Sequence, residues 1–259
     1  MASLAGKVAL ITGASSGIGA GTAGHFASLG CYLALCGRNE ENLQKVGTAC
    51  EANGLDKDKV LLIVGDLSKE EDCKTAVEKT IQHFGQLDVL VNNAGILING
   101  TIETATLEEY DTIMNINVRS MFHITMLSVP HLIKTKGSIV NVSSVAGLRS
   151  FPGILLYNMS KAAVDQFTNT VALELASKQV RVNSVNPGVI ITEVHKRAGM
   201  SDEKYTEFLE RSKTTHALGR PGTTEEVAKA IAFLASDDSS FITATQLPLD
   251  GGRHAMCPR

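Results

Sequence analysis

A chain of 259 residues, 44% hydrophobic and 20% charged, carries enough apolar material for a large core, as one large domain or two small ones. A formal net charge of −3 without any lysine or arginine block argues against nucleic acid as a partner. No apolar run is long enough to span a membrane, and the start runs from Met1 to Lys7 straight into a strand-like segment without a signal-peptide pattern. The five cysteines (Cys31, Cys36, Cys50, Cys73 and Cys257) are odd in number and form no C-x-x-C pair, which fits a reduced, cytoplasmic protein without a metal site.

From the N-terminus, short β-branched runs alternate with helical patterns. Strands are expected at Val8–Thr12, Tyr32–Cys36, Val60–Asp66, Val89–Asn92, Ser138–Ser143, Val180–Asn186 and Gln246–Asp250. Helical periodicity falls near 17–29, 40–53, 70–84, 107–135, 153–177 and 224–236. Ser68 stands where it could cap the third helix, and Pro130 predicts a kink or an end in the fourth. Several strands are apolar at every position, as when helices cover both faces of a parallel sheet. With no linker, repeat or low-complexity segment, the reading is one α/β domain over 1–259, a doubly wound, seven-stranded, mostly parallel sheet flanked by helices. Residues 191–222 break the rhythm. They are polar and charged, hold one helix-like piece (Asp202–Lys213), and read as a lid over a substrate site. Pro248 removes a ladder donor from the last strand and assigns it to a sheet edge. Asn141-Val-Ser143 and Asn158-Met-Ser160 match the glycosylation sequon inside core-like segments, and read as chance matches.

The turn after the first strand reads Thr12-Gly13-Ala14-Ser15-Ser16-Gly17-Ile18-Gly19 and opens a helix. Glycines there let backbone approach a pyrophosphate, and the helix N-terminus offers free N–H groups and a positive dipole end. With a strand before it and a helix after it, the turn is expected to be the dinucleotide site of a Rossmann fold, although its spacing, T-G-x-x-x-G-x-G, differs from the usual G-x-G-x-x-G. An NAD site has an acidic residue at the end of the second strand. Here Gly37 and Arg38 stand instead, and a guanidinium suits a 2′-phosphate, so NADP(H) is expected over NAD. Ser16 could add a hydrogen bond to phosphate but no charge.

Further on, Ser144 is followed by Tyr157 and, one helical turn later, by Lys161. A phenol has an ordinary pKa of about 10. A lysine four residues away lies on the same helical face, about 5–6 Å distant at Cβ. Its charge favours the phenolate and brings the tyrosine toward the range of a working acid/base group. Ser144 alongside can hold a carbonyl or alcohol oxygen in line with that phenol.

With the glycine turn, Asn92-Asn93-Ala94-Gly95, Asn117, Ser144, Tyr157 and Lys161 in this order, the chain resembles the short-chain dehydrogenase/reductase family from about Lys7 to Gly252. It is most similar to a subgroup of about 250 residues that includes 3-oxoacyl-carrier-protein reductases, hydroxysteroid dehydrogenases and carbonyl reductases. The resemblance implies a catalytic tetrad. Tyr157 would be the general acid/base, Ser144 would orient the substrate oxygen, and Lys161 would lower the tyrosine pKa and bond the nicotinamide ribose. Asn117 would hold a water that links Lys161 to solvent. Asp66 and Leu67 would flank the adenine, and Asn93, Ala94 and Gly95 would support the adenosine-side ribose and the sheet. Pro187-Gly188-Val189-Ile190-Ile191-Thr192 would clamp the nicotinamide amide through the Ile190 backbone and the Thr192 hydroxyl. A homotetramer is also implied. The C-terminal segments depart from the family pattern: Phe241-Ile-Thr-Ala244 ends in alanine where glycine is usual, and Leu249-Asp250-Gly251-Gly252 follows Pro248.

Residues expected to face the substrate are Ile96, Leu97, Val145, Ala146, Leu148, Phe151 and Val194–Met200. They are mostly apolar and favour a hydrophobic ketone, aldehyde, steroid or secondary alcohol as the small-molecule partner. A carrier-protein partner would need a basic patch, for which Lys178, Arg149, Lys196 and Arg197 are candidates without a convincing cluster. His195 and His216 read as surface residues rather than metal ligands. A cofactor-binding protein that lost catalysis is the remaining alternative, and the intact tetrad argues against it.

Overall fold

The computed structural model describes residues 3–256. The chain runs β1 (Val8–Thr12), α1 (Gly17–Ser28), β2 (Tyr32–Gly37), α2 (Glu40–Ala52), β3 (Val60–Val64), α3 (Glu70–Phe84), β4 (Val89–Asn92), α4 (Leu107–Met114) and α5 (Ser120–Thr135). It continues β5 (Ser138–Val142), α6 (Val145–Leu148), α7 (Leu155–Ala176), β6 (Arg181–Pro187), α8 (Val194–Arg197), α9 (Asp202–Thr215), α10 (Thr224–Ala235) and β7 (Gln246–Leu249).

The apolar runs become strands because both faces of the sheet are dry. Successive strand side chains point to opposite faces. In β1, Ala9 and Ile11 enter one core and Leu10 the other; in β2, Leu33 and Leu35 part from Ala34 and Cys36 in the same way. The first core is closed by α1 and α10 through Phe26, Val227 and Ile231, and the second by α3, α5 and α7 through Val77, Ile124 and Leu175. The strand order is β3-β2-β1-β4-β5-β6-β7, and every pairing is parallel. The order reverses between β1 and β4, so the crevice for a ligand opens there, beyond the carboxyl ends of the strands. Strand β7 pairs only with β6, and Pro248 sits in it opposite Asn186, at the expected edge.

Several local expectations are corrected. Ser68 does not cap α3: its N–H donates to Asp66 Oδ1 (3.1 Å), and the helix begins after Lys69 without a side-chain cap. This turn at Asp66 also ends β3 at Val64, short of the expected Asp66. The helical run 107–135 is continuous, and its irregularity does not lie at Pro130. A π turn at Asn115–Arg119 separates α4 from α5, and Pro130 lies inside α5 without ending it. The residue whose carbonyl loses its partner there, Met126, stands on the solvent side, where water can serve that carbonyl. Residues 191–222 hold two helices, α8 and α9, rather than one, and the excursion is closed at its base by bonds from Ile191 N–H to Gly222 O (3.0 Å) and from Gly222 N–H to Val189 O (2.8 Å).

Ala244, where the family has glycine, takes a left-handed φ of +60°, a conformation that accounts for the usual residue. Cys31, Cys36, Cys50 and Cys73 are buried free thiols, with burial pushing Cys36 and Cys50 up to about 12; Cys257 lies outside the described residues. Asn141 is fully buried in a side-chain network with Asn92 and Thr168, which leaves no room for a glycan. Among the described residues no helix is long and apolar enough to cross a membrane, and no group of three metal-ligating side chains occurs.

Candidate active site

The glycine turn is folded against the end of β4. Thr12 Oγ1 accepts from the N–H groups of Asn93 (2.9 Å) and Ala94 (3.0 Å), while Asn93 Nδ2 donates to the carbonyls of Thr12 (2.8 Å) and Gly13 (3.1 Å). A Cβ on Gly13, itself at φ +62°, would lie 2.9 Å from Ala94 Cα, and one on Gly19 would run into the Gly13 carbonyl. Glycine is needed at both positions for close packing. Thr12 and Gly19 therefore stand behind the site, while Gly13, Ser15, Ser16, Gly17 and Ile18 line it.

The cleft that they border has a volume of about 1180 Å³, larger than a drug-sized pocket. At the N-terminus of α1, Ser16 occupies the cap position without a side-chain cap bond, and the first turn holds no acidic residue. The first turns of α2, α3, α4, α9 and α10 all do. Free N–H groups with no carboxylate beside them fit a diphosphate. Arg38, Asp66, Leu67, Asn93, Ala94 and Gly95 line the cleft, as do Pro187, Gly188, Ile190 and Thr192. Burial alone would raise the Asp66 carboxyl, but bonds from Ser68 and the Arg38 charge outweigh it and hold the group below its ordinary value.

Strand β5 delivers the serine pair. Both border the cleft: Ser143 donates to the Lys161 carbonyl (3.2 Å), and Ser144 accepts from Ala146 N–H (3.1 Å) as the cap of α6. Tyr157 and Lys161 share a face of α7. Burial raises the Tyr157 hydroxyl above its ordinary value, and a hydrogen bond with Ser144 opposes the rise. The Lys161 ammonium does not reach that hydroxyl. It donates to the Val142 carbonyl (2.8 Å) and lies 5.6 Å from the Tyr157 ring centroid. Lys161 is itself buried, and desolvation, partly offset by Asp165, lowers it to about 8. Burial thus moves the tyrosine up and the lysine down within this buried pair.

Asn117 sits in the π turn, a distortion common at functional sites. Its amide group donates to Ile96 O (2.9 Å) and Ser160 Oγ (3.0 Å), and its Oδ1 accepts from Ile96 N–H (2.8 Å). It does not line the cleft, yet a Cβ on Gly95 would meet both Asn117 Oδ1 (3.3 Å) and Lys161 Nζ (3.7 Å).

Of the expected substrate-facing residues, Ile96, Leu97, Val145, Ala146 and Phe151 line the cleft with Val194, His195, Arg197 and Met200; Leu148, at the far end of the one-turn helix α6, does not. Neither histidine is a plain surface residue. His195 is packed 4.5 Å from Phe208 in the cleft wall. His216 is buried, with Nδ1 against Ser212 O (2.8 Å) and Nε2 accepting from Val189 N–H (3.2 Å), so it braces the 187–192 segment. Tyr205 Oη braces the same segment by accepting from Thr192 N–H (3.2 Å) and donating to Thr192 O (2.9 Å). The sequence reading missed both, since neither residue belongs to a motif. It missed also that Arg197 donates to Ser16 Oγ (2.7 Å), laying a charge across the mouth of the glycine turn.

Exchanging His216 for phenylalanine strands the buried Val189 N–H and is expected to cost about 1–3 kcal/mol of stability. Urea denaturation would measure it; His216→Gln, which keeps an acceptor, should lose less, and equal losses would refute the bracing role.

A family model described as enoyl-(acyl carrier protein) reductase matches residues 13–254. The chain is 42% identical to a 3-oxoacyl-[acyl-carrier-protein] reductase, FabG, of Thermotoga maritima, over 96% of this chain and 98% of that one. It is 37% identical to a 2-(R)-hydroxypropyl-CoM dehydrogenase of Xanthobacter autotrophicus, over 96% and 99%. A crystal structure of a short-chain dehydrogenase/reductase of unknown function from Caenorhabditis elegans, with cofactor, superposes with a TM-score of 0.93 at 32% identity, covering 98% of this chain and 97% of that one. Matched over nearly its whole length by such proteins, and built on the same parallel sheet, the chain belongs to the short-chain dehydrogenase/reductase family and is an oxidoreductase of alcohol and carbonyl groups.

Proposed function

We propose that the protein interconverts a carbonyl and a secondary alcohol with NADP(H), using Asn117, Ser144, Tyr157 and Lys161. The observation that carries this reading is the meeting of Ser144 and Tyr157 in the cleft, with Lys161 buried behind them. When bound, the nicotinamide supplies or takes up the hydride that no side chain can. In reduction, negative charge grows on the substrate oxygen, and the two hydroxyls lining the cleft are donors suited to that charge. Tyr157 gives its proton to this oxygen, Ser144 holds the oxygen in place, and Lys161 steadies the phenolate left behind. Asn117 positions the 95–96 backbone beside Lys161 and its Oδ1 keeps accepting capacity for a relay water. Oxidation reverses these steps. Residues 191–222 act as the substrate lid, braced by Tyr205 and His216. Turnover of a panel of ketones, aldehydes and secondary alcohols with both dinucleotides is the test; dinucleotide binding without any turnover would refute the enzyme reading.

Arg38, which lines the cleft beside Asp66 and suits a 2′-phosphate, supports NADP over NAD. Arg38→Asp is expected to weaken NADPH by roughly 10–100-fold and leave NADH nearly unchanged. Calorimetric titration of both dinucleotides would check this, and an equal effect on both would remove the phosphate role.

The apolar residues in the cleft wall favour a hydrophobic substrate. An acyl thioester on a carrier protein is the second reading, favoured by the names of the relatives. Against it, three of the four basic residues that could dock a carrier are engaged elsewhere: Lys196 with Asp202 (2.7 Å), Arg197 with Ser16, and Arg149 with the His254 carbonyl. Exposed apolar side chains on α5 and α7, among them Phe122, Met159 and Leu173, support a homotetramer. The buried free thiols support a reducing, cytoplasmic setting.

A further inference from the structure

We infer that the substrate carries an oxyanion, received by Arg253 and Arg211 in the wall of the cleft; this rests on the carbonyl–alcohol reading above. Arg253 follows Gly251 and Gly252, both at positive φ, in the turn after β7. Its guanidinium lies 4.5 Å from the centroid of the Phe151 ring, and both side chains line the cleft. The turn packs against α6, the helix that Ser144 opens, and Arg149 ties the two together through the His254 carbonyl. The charge is therefore built onto the element that also places the substrate oxygen.

This guanidinium makes no hydrogen bond and no ion pair among the described residues. Asp250, the carboxylate that attracts it, is taken up by other donors: the N–H groups of Gly252 (3.0 Å) and His254 (2.6 Å), and His254 Nδ1 (3.0 Å). Arg211 of α9 lines the same cleft and is likewise without such a partner, whereas Arg119, Arg220, Lys196 and Lys213 are all paired with carboxylates. The cleft's own acids do not answer these charges: Asp66 lies beside Arg38, and Glu193 is 3.9 Å from Lys196. Arg211 and Arg253 repel each other, and Arg253 disfavours protonation of His195. A half-buried, unpaired planar fork stacked on an aromatic ring, with a second guanidinium near, matches a carboxylate or a phosphate ester and is costly without one.

The experiment titrates three probes, cyclohexanecarboxylate, its amide and cyclohexyl phosphate, into the wild type, Arg253→Met, Arg253→Lys and the exposed-site variant Arg211→Met. One of the two anions should bind at least roughly tenfold more tightly than the amide, and the tighter of them names the anion class. That preference should shrink with salt, fall to within about twofold in Arg253→Met, and be kept in part by Arg253→Lys and Arg211→Met. An amide bound as tightly as both anions would overturn the inference. So would a preference that survives in Arg253→Met, because the anion would then be seated at the glycine turn. These readouts need no turnover. Neutral ketones reduced without anion binding would sink this inference alone, and anion binding without turnover of any carbonyl would sink only the proposed reaction.

Discussion

Replacing Tyr157 by phenylalanine is expected to lower carbonyl reduction and alcohol oxidation together, by about 10²–10⁴-fold, while dinucleotide binding stays within about twofold. The substitution keeps the ring, and with it the packing of α7 and the position of Lys161 beside that ring. It removes only the hydroxyl that Ser144 bonds. Since burial raises this hydroxyl, the neutral form prevails at pH 7 and phenylalanine adds no unpaired charge to the cleft. Ser144→Ala should be less clean, because that oxygen also accepts from Ala146 N–H at the start of α6, and its loss disturbs the helix as well as the reaction. Steady-state rates in both directions, with fluorescence titration of the dinucleotide, separate the two effects. A Tyr157→Phe enzyme within tenfold of the wild type would reject tyrosine as the proton donor.

What was legible in the sequence follows from the range of the forces involved. The continuous apolar runs of β1 and β2, the glycine turn and the helical spacing of Tyr157 and Lys161 are local, and the fold respects them. Edge placement of β7 was readable because proline lacks a ladder donor whatever surrounds it. Local rules failed where another partner, near or distant, won. Ser68 loses its cap role since Asp66 accepts from its N–H, and Pro130 stays inside α5 since the helix is held by its packing on α3 and the sheet. His216 looked like a surface histidine in a polar segment, yet the turn after β7 and the 187–192 segment close over it. Arg197 and Ser16 are 181 positions apart, and no periodicity joins them. The effect of Lys161 on Tyr157 depends on where the ammonium points, and the Val142 carbonyl, supplied by β5, decides that.

Exchange of Lys161 for methionine is expected to move the pH dependence of alcohol oxidation upward by about two units or more. In the wild type the ammonium sits near 8, below its ordinary 10.5, because α7 and β5 bury it, while the Tyr157 hydroxyl is pushed up. As pH rises through about 8 the buried pair loses its first proton, and the pair can then take one from an alcohol. Oxidation should therefore rise through that range, and reduction should fall, since the charge that steadies the phenolate is lost. With methionine only the phenol titrates. Its value lies above the ordinary 10, so the rise in oxidation should shift beyond pH 10 and the rate at pH 8 should collapse. Stability gives an independent check. The folded lysine releases its proton near 8 and the unfolded one near 10.5, so the unfolded chain binds more protons between these values. This contribution to wild-type stability accordingly rises across that window and is absent in Lys161→Met. Rate profiles from pH 6 to 10.5, together with urea melts at pH 7.5 and 10, test both arms. An unshifted profile in the variant would mean that the first proton to leave belongs to a group other than this lysine.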